Sequence, residues 1–405
     1  MDNITHSLLG AALAKTRLGQ ASPWAPAALV VAANLPDFEN LVLAFVDKPT
    51  NMMHHRSVTH AVVGVLVLIP LFTLLVRGLE RVFARGRPRA PVWQLMLGVG
   101  IAVVSHPVLD WLNTYGVRPW LPFDGTWYHG DLVFIVDPWL WLLLGGATAV
   151  AGRRTRVGSL LLGAVALVTS AAVMTLNTDT PAALQVFWPV AVALIVLARW
   201  PRATAEGARL KVGRRAWAVL PRGVRVAWQW WQTMGPRHPH VVVGTALGLA
   251  VAYVGGLGWC GRTAWRMSEP VIAAGLAPGE TILSHTLVPQ PASPLKWQVI
   301  AETEAAVYRH TFAIDEGPTG VVRLEKSVDD PLVREVAAGP EGRAWRVFAR
   351  HPVAAIASNG HGRRVYLMDA RYGVFPARGF SSFAIDWPAN GTAAGEREPA
   401  GDGGD

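Results

Sequence analysis

The chain has 405 residues, of which 51% are hydrophobic and 16% charged, and its mean hydropathy is +0.29. That balance excludes an ordinary water-soluble globular protein and indicates a polytopic membrane protein of two or three structural units. A single cysteine, Cys260, excludes an internal disulfide and any cysteine-based zinc site. The formal charge of +9 gathers in short arginine clusters between apolar runs, which suits loops facing anionic lipid, and no nucleic-acid partner is expected.

Residues Met1 to His6 lack the basic region of a cleavable signal peptide, so His6 is expected to be retained. Residues 4–18 read as a short helix, capped by Asp2 or Asn3 and closed by Lys15 and Arg17. It falls short of the ~20 residues that a full span needs. Apolar runs follow at 24–46, 58–76, 92–112, 133–151, 158–175, 182–199 and 240–260. Arginines 77, 81, 85, 87 and 89, arginines 153, 154 and 156, and the basic segment from Arg199 to Arg237 separate these runs. The positive-inside rule puts those three segments in the cytoplasm. The loops at 47–57, 113–132 and 176–181, and all that follows Cys260, are then expected to face outward.

Residues 200–238 mix arginine with Trp217, Trp228, Trp230 and Trp231, the composition of an amphipathic helix lying on the inner membrane surface. From about residue 280 the pattern changes to short β-rich stretches: Lys296 to Ile314, Gly320 to Leu324, Ala344 to Ala349 and Arg364 to Met368. The expected architecture is mainly α, a polytopic helical membrane bundle followed by a small, mostly antiparallel β domain. Its parts are a membrane domain over 1–199, a basic cytoplasmic linker over 200–238 and a last transmembrane helix over 239–261. An extracytoplasmic β domain over 280–388 and a disordered tail over 389–405 complete it.

The chemistry concentrates in the first third. Six of the 12 histidines, His6, His54, His55, His60, His106 and His129, precede residue 130. In the stretch Ser105 to Gly116, His106 and Asp110 lie four apart, so they share one face of a helix despite Pro107 between them. Such a pair serves a metal centre in a helix bundle or a structural hydrogen bond closing a helix end. Asn34 to Glu39 places two carboxylates, Asp37 and Glu39, within an apolar run. His55 and His60 are five apart, about 140° round a helix. They can meet only if Ser57 caps a helix and His55 folds back from the preceding loop.

Under the assigned topology Asp37, His55, His60, His106 and Asp110 all fall near the outward ends of their segments. His6 joins them if its short helix starts on that side. Imidazoles with carboxylates favour zinc, with manganese or iron as alternatives, and more than four donors leave room for one or two ions. Asp131 and Asp137 read as helix caps before catalytic groups, and His54 as an outer partner. His129 is a ligand, a proton donor or a solvated loop histidine. Trp111, Trp120 and Trp127 suit an aromatic belt. His285, His310, His351 and His361 show no ligand spacing.

The ordered motifs Asp-x-x-Thr-His-Ser, Asn-Leu-Pro-Asp, His-Arg-x-x-Thr-His and Ser-His-x-x-x-Asp-x-x-Asn-Thr-Tyr-Gly resemble the bacterial membrane-bound metal-dependent hydrolases. That family is also described as YdjM-like, LexA-binding inner-membrane-associated hydrolases. Pro122-Phe123, the stretch Trp127 to Asp131 and the stretch Phe134 to Trp139 extend the likeness. Ala292 to Pro294 and Asp369 to Tyr372 extend it in style to the C-terminal part. The resemblance implies a multi-pass inner-membrane protein with His6, Asp37, His55, His60, His106 and Asp110 as its metal set. Glu39 departs from the family's usual Asp at its position, which leaves its role open.

The expected activity is hydrolysis of an ester or phosphoester of a lipid-like or amphiphilic substrate by metal-activated water at the outer face. Asp37 or Glu39 serves as ligand or general base. Two competing expectations are a transporter or ion carrier built on the same cluster, and a scaffold whose β domain binds a partner while the cluster serves structure.

Overall fold

The computed structural model describes residues 1–152, 156–175, 182–199, 238–314, 316–358, 362–373, 375 and 379–388. Residues 200–237 of the basic linker expected over 200–238, the tail at 389–405, Arg153, Arg154, His361 and the loop at 176–181 lie outside the described residues. Contacts group the chain into two units. One comprises Met1–Phe38, Val58–Trp259 and Pro289–Pro294, and the other Glu39–Ser57, Cys260–Val288 and Leu295–Asp405.

In the first unit, α1 (Asn3–Leu13) begins where Asp2 accepts from the Ile4 and Thr5 amides, so Asp2 is the cap. Helix α2 (Ala25–Ala32) ends early, and the expected apolar run 24–46 is not one helix. Pro36 lies in the 3-10 turn Leu35–Glu39 that follows, and a proline there cannot continue an α-helical ladder. Helices α5 (Val62–Phe83) and α6 (Val92–Trp111) form a hairpin, and α7 (Pro138–Ala151), α8 (Arg156–Thr175) and α9 (Ala182–Arg199) follow. Asp137 caps α7 by accepting from the Trp139 and Leu140 amides at 2.9 and 3.0 Å, as its sequence position suggested.

Helix α10 (Pro239–Ala274) runs 36 residues, well past the expected end at residue 261. Among the described residues four helices are long and apolar enough to cross a membrane: Val62–Phe83, Val92–Trp111, Val157–Thr175 and Pro239–Ala274. Of the other apolar runs read from the sequence, 24–46 is broken and 133–151 holds the 14-residue helix Pro138–Ala151. These helices expose leucine and valine: Leu66, Leu71, Leu74, Leu160, Leu167 and Val251 are all more than half exposed, as suits a lipid-facing surface. The inward core gathers Leu8, Leu29, Leu95, Val99, Val103, Trp141 and Leu144 from α1, α2, α6 and α7. Gly10 brings α1 and α2 together: a Cβ there would lie 2.7 Å from the Leu29 carbonyl oxygen.

The second unit carries α3 (Asn40–Leu43), α4 (Lys48–His54) and the sheets. One sheet orders its strands β1 (Ser284–Gln290), β2 (Ser293–Glu302), β3 (Ala306–Ala313) and β4 (Gly317–Pro318), with β5 (Val322–Glu325) also paired to β3. The other is β6 (Pro352–Ser358), β7 (Gly362–Asp369) and β8 (Ser382–Pro388). The registered pairs are antiparallel, as expected. In chain order α11 (Pro331–Val336) and α12 (Pro340–Phe348) come after β5 and before β6, so the expected strand at Ala344–Ala349 is helical instead. Its buried residues Ala344, Trp345 and Phe348 follow a helical spacing, and Pro340 and Glu341 supply a helix start.

Within this unit Lys48 of α4 donates to the Gly379 and Ser382 carbonyls at 2.6 and 2.5 Å. The stretch between Asp37 and His60 is thereby anchored on β8. A row of polar groups also crosses the sheet. His351 meets the Thr286 hydroxyl and the Glu302 carboxylate, each at 2.7 Å, and Lys326 reaches Glu302 at 2.5 Å. Thr286 is buried, so the row serves structure rather than attack on a substrate.

Burial by itself would raise the Glu302 carboxyl, but His351 and Lys326 outweigh it and pull it down to about 2. A carboxyl lowered on folding stabilises the folded form above its ordinary value near 4.5, and that stability is lost as pH falls through about 2. Hydrogen exchange of β2 and β6 amides in the full chain should therefore show wild type opening between pH 4.5 and 2. Glu302→Gln should open more readily at neutral pH and lose little more over that range. Equal pH slopes in both proteins would refute this.

Candidate metal centre

Three elements of the first unit bring their polar ends together. The 3-10 turn after α2 carries Asp37, the 3-10 turn Val58–His60 carries His60, and the last turns of α6 carry His106 and Asp110. Pro107 does not stop α6, because the helix continues to Trp111, so the i, i+4 face predicted for His106 and Asp110 is kept. Helix α5 starts at Val62 after Ala61 and not at Ser57, which leaves His60 in the turn and free of helical periodicity.

Five of the six separations between the donor atoms are close to one another. His60 Nε2 is 3.2 Å from His106 Nε2, 3.4 Å from Asp37 Oδ1 and 3.3 Å from Asp110 Oδ2. His106 Nε2 is 3.5 Å from both carboxylates. All four residues offer ligand atoms within 4.8 Å of one another. His60, His106 and Asp110 are buried and Asp37 is nearly so. Two carboxylates and two imidazoles turned inward without solvent are a costly arrangement that a cation would neutralise.

The neighbouring groups orient these donors. His106 Nδ1 donates to the Ala33 carbonyl at 2.7 Å, which leaves Nε2 of the neutral ring as the lone-pair nitrogen facing the cluster. His60 Nδ1 meets the Thr59 hydroxyl at 3.1 Å. Burial alone would raise the Asp37 carboxyl, but the His106 and His60 imidazoles hold it well below the usual carboxylate range. Asn34 ties this turn to α1 by donating to the Ser7 hydroxyl at 3.0 Å.

His6 stands beside the four. Its ring stacks on His106 at 3.7 Å between centroids, and its Nε2 is 3.4 Å from Asp110 Oδ1, which the Met1 amino group also contacts. His55 and Glu39, both nominated from the sequence, belong to the second unit and are not among the four. His55 ends α4, 3.8 Å from Glu39 Oε1 and 3.0 Å from Asn40 Oδ1. Glu39 also accepts from the Arg56 amide at 2.5 Å and the Ser57 hydroxyl at 3.3 Å. The expected folding back of His55 meets a different destination because Arg56, at φ 53°, turns the chain there. His129 stacks on Trp127 with ring centroids 6.2 Å apart.

The order of these donors along the chain, His6, Asp37, His60, His106 and Asp110, is the order of the sequence motifs. Residues 1–179 match the family model of YdjM inner membrane protein. The matched region contains every donor of the cluster, so the family match and the geometry fall on the same part of the chain. Together with the apolar helices it points to a membrane location. Over 161 residues the chain is 27% identical to a Bacillus subtilis (strain 168) protein described as uncharacterized protein YfhP. The match covers 37% of this chain and 46% of that protein, so the chain spans less than half of that relative's length. No solved structure matches the chain.

The sequence singled out the side-chain donors of the cluster but not the Ala33 carbonyl that fixes the His106 ring. A backbone acceptor carries no residue signature. Asn34 opens the Asn-Leu-Pro-Asp motif, and its polar side chain in an apolar run is the signal the sequence carries.

Proposed function

We propose that this YdjM-type protein is a metal-dependent hydrolase of the bacterial inner membrane. On this reading it acts on an ester or phosphoester of a lipid-like or amphiphilic molecule. The observation that carries the reading is that five of the six donor separations lie between 3.2 and 3.5 Å. A tetrahedron with the arms of about 2.0–2.1 Å typical of zinc has edges of roughly 3.3–3.4 Å. Asp37, His60, His106 and Asp110 would hold the ion, which when bound supplies a Lewis acid and lowers the pKa of water.

The chain's own groups have separable tasks. Ala33 and Thr59 orient the two imidazoles. Asp110 turns one oxygen to the cluster and the other to His6, so His6 can complete a second ion's donor set. Asp37, the least enclosed donor, is placed to exchange a proton with an incoming water, and His129 is a proton donor candidate in the following loop. The basic turn at Arg81–Arg89 lies at the opposite end of the α5–α6 hairpin. The positive-inside rule therefore supports an outward-facing centre near the headgroup level and an extracytoplasmic β domain.

Metal analysis of full-length protein purified in detergent tests this reading. Stoichiometric zinc, manganese or iron is expected, with chelator-sensitive release of product from short-chain ester or phosphoester substrates. Protein that holds no transition metal and takes none up would overturn it. Metal uptake with transport of the ion and no hydrolysis would replace it by the carrier reading.

A further inference from the structure

The apolar run at 24–46 breaks at Leu35–Glu39, and its remainder is too short to cross a membrane. Residues 40–46 carry no charge and form only the short helix α3 and the turn after it. Leu43 is buried, but Leu41, Val42 and Phe45 are 68, 67 and 89% exposed, and Val46 is exposed with them. Phe45 is the most exposed large apolar side chain among the described residues. A contiguous apolar stretch of this kind is driven out of water and marks a surface that something covers.

The tip is mounted on its own unit. The Ala44 and Phe45 amides donate back to the Asn40 and Val42 carbonyls at 3.0 and 3.1 Å, and the Leu43 carbonyl accepts from the Asn51 side chain at 2.9 Å. Asn40 Oδ1 faces His55 Nδ1 at 3.0 Å, so the one polar side chain between 40 and 46 is engaged within the unit. Asp47 then caps α4 by accepting from the Thr50 amide at 3.0 Å. These backbone groups are served by the protein and not by water, which is the condition for entering lipid.

The chain tethers the tip at both ends. It leaves the first unit after Phe38 and re-enters it at Val58, four residues before Val62–Phe83, a helix long and apolar enough to cross a membrane. Val62 and Val63, which open that helix, are themselves exposed apolar residues. We propose that Leu41, Val42, Phe45 and Val46 form a membrane-interface anchor that inserts at the headgroup–acyl boundary of the bilayer. Phenylalanine and leucine are the side chains that such a boundary takes up. A protein partner suits the face less well, because protein interfaces set hydrogen-bonding groups and a polar rim around their apolar core, and this tip offers neither. The anchor does not depend on hydrolysis at the metal centre.

The test uses full-length protein with Cys260→Ser in phosphatidylcholine nanodiscs. Phe45→Cys, Leu71→Cys and Asp329→Cys are introduced one at a time and labelled with bimane. Leu71, exposed on α5, is the lipid-facing reference, and Asp329, exposed beside Asp330 in the charged turn before α11, is the water-facing one. Replacing the lipid by its acyl-brominated form is expected to remove most of the emission at positions 45 and 71 and to spare position 329. Iodide added to the water is expected to do the reverse. If Phe45→Cys does not fold, Val42→Cys takes its place. Iodide quenching at position 45 equal to that at 329, with none by brominated lipid, would leave the tip in water and overturn the proposal. Protection of position 45 from both quenchers would overturn it as well, by showing the face covered by protein, whether a second copy or another chain.

Discussion

Asp110→Ala is expected to abolish stoichiometric metal in the purified protein and to lower metal affinity by more than the roughly 10- to 100-fold that loss of an outer partner costs. Asp110 is fully buried, and its two oxygens serve different neighbours. Oδ2 lies 3.3 Å from His60 Nε2 and 3.5 Å from His106 Nε2, and Oδ1 lies 3.4 Å from His6 Nε2. Removing it takes one donor from the four and half of the negative charge that a divalent ion would balance. Asp110→Asn is the companion variant: it keeps the shape, so any loss of metal there is loss of charge and not collapse of the helix end. His55→Ala, in the other unit, should change metal affinity far less. Competition titration against a chelator with a known zinc affinity reads all three. Wild-type affinity in Asp110→Ala, or an equal loss in His55→Ala, would dismantle the four-donor assignment.

That contrast also marks what the sequence could and could not reveal. His106 and Asp110 were legible because helical periodicity alone fixes two residues four apart on one face, and the helix survives Pro107. His60 was nominated at the end of an apolar run and Asp37 within one, where an unpaired imidazole or carboxylate is expensive. His55 looked equivalent on that ground. What separates it is the turn at Arg56 and the docking of α4 through Lys48, neither of which the local spacing encodes. The break at Leu35–Glu39 was hidden in a run whose hydrophobicity continues on both sides, although Pro36 stood in plain view. The β-rich composition of the C-terminal part was readable. At Ala344–Ala349 an apolar spacing too short to distinguish periods gave the wrong element, and only its packing resolved it.

The second large effect lies at the other end of the hairpin. Glu80→Ala is expected to destabilise the protein by about 3–5 kcal/mol, the cost of stranding a buried charge. Arg77 and Glu80 are one helical turn apart on α5, both buried, with Arg77 Nη1 3.0 Å from Glu80 Oε2. The pair is a junction and not an isolated bridge. Glu80 Oε1 accepts from the Trp24 amide at the start of α2 at 3.3 Å, and Arg77 also donates to the Ala90 carbonyl. Arg89 donates to the Glu80 and Ala84 carbonyls at 3.0 and 2.8 Å, closing the α5–α6 turn. Alanine at position 80 leaves the Arg77 guanidinium without its carboxylate in a place water does not reach.

Arg77→Met combined with Glu80→Leu removes both charges and fills similar volume, so the double variant should regain most of the loss. Unfolding of detergent-solubilised protein by denaturant titration measures this, and a double variant as unstable as Glu80→Ala would show that packing, not charge, is at stake. Along α5, Glu80 stands 18 residues from Val62, about 27 Å at 1.5 Å per residue. Over that distance, through a packed helix pair, the local loss should not reach the donor cluster. Metal content of the folded Glu80→Ala protein should therefore equal that of wild type. Loss of metal in that variant at temperatures where it remains folded would mean that the basic turn and the metal centre are coupled through the hairpin.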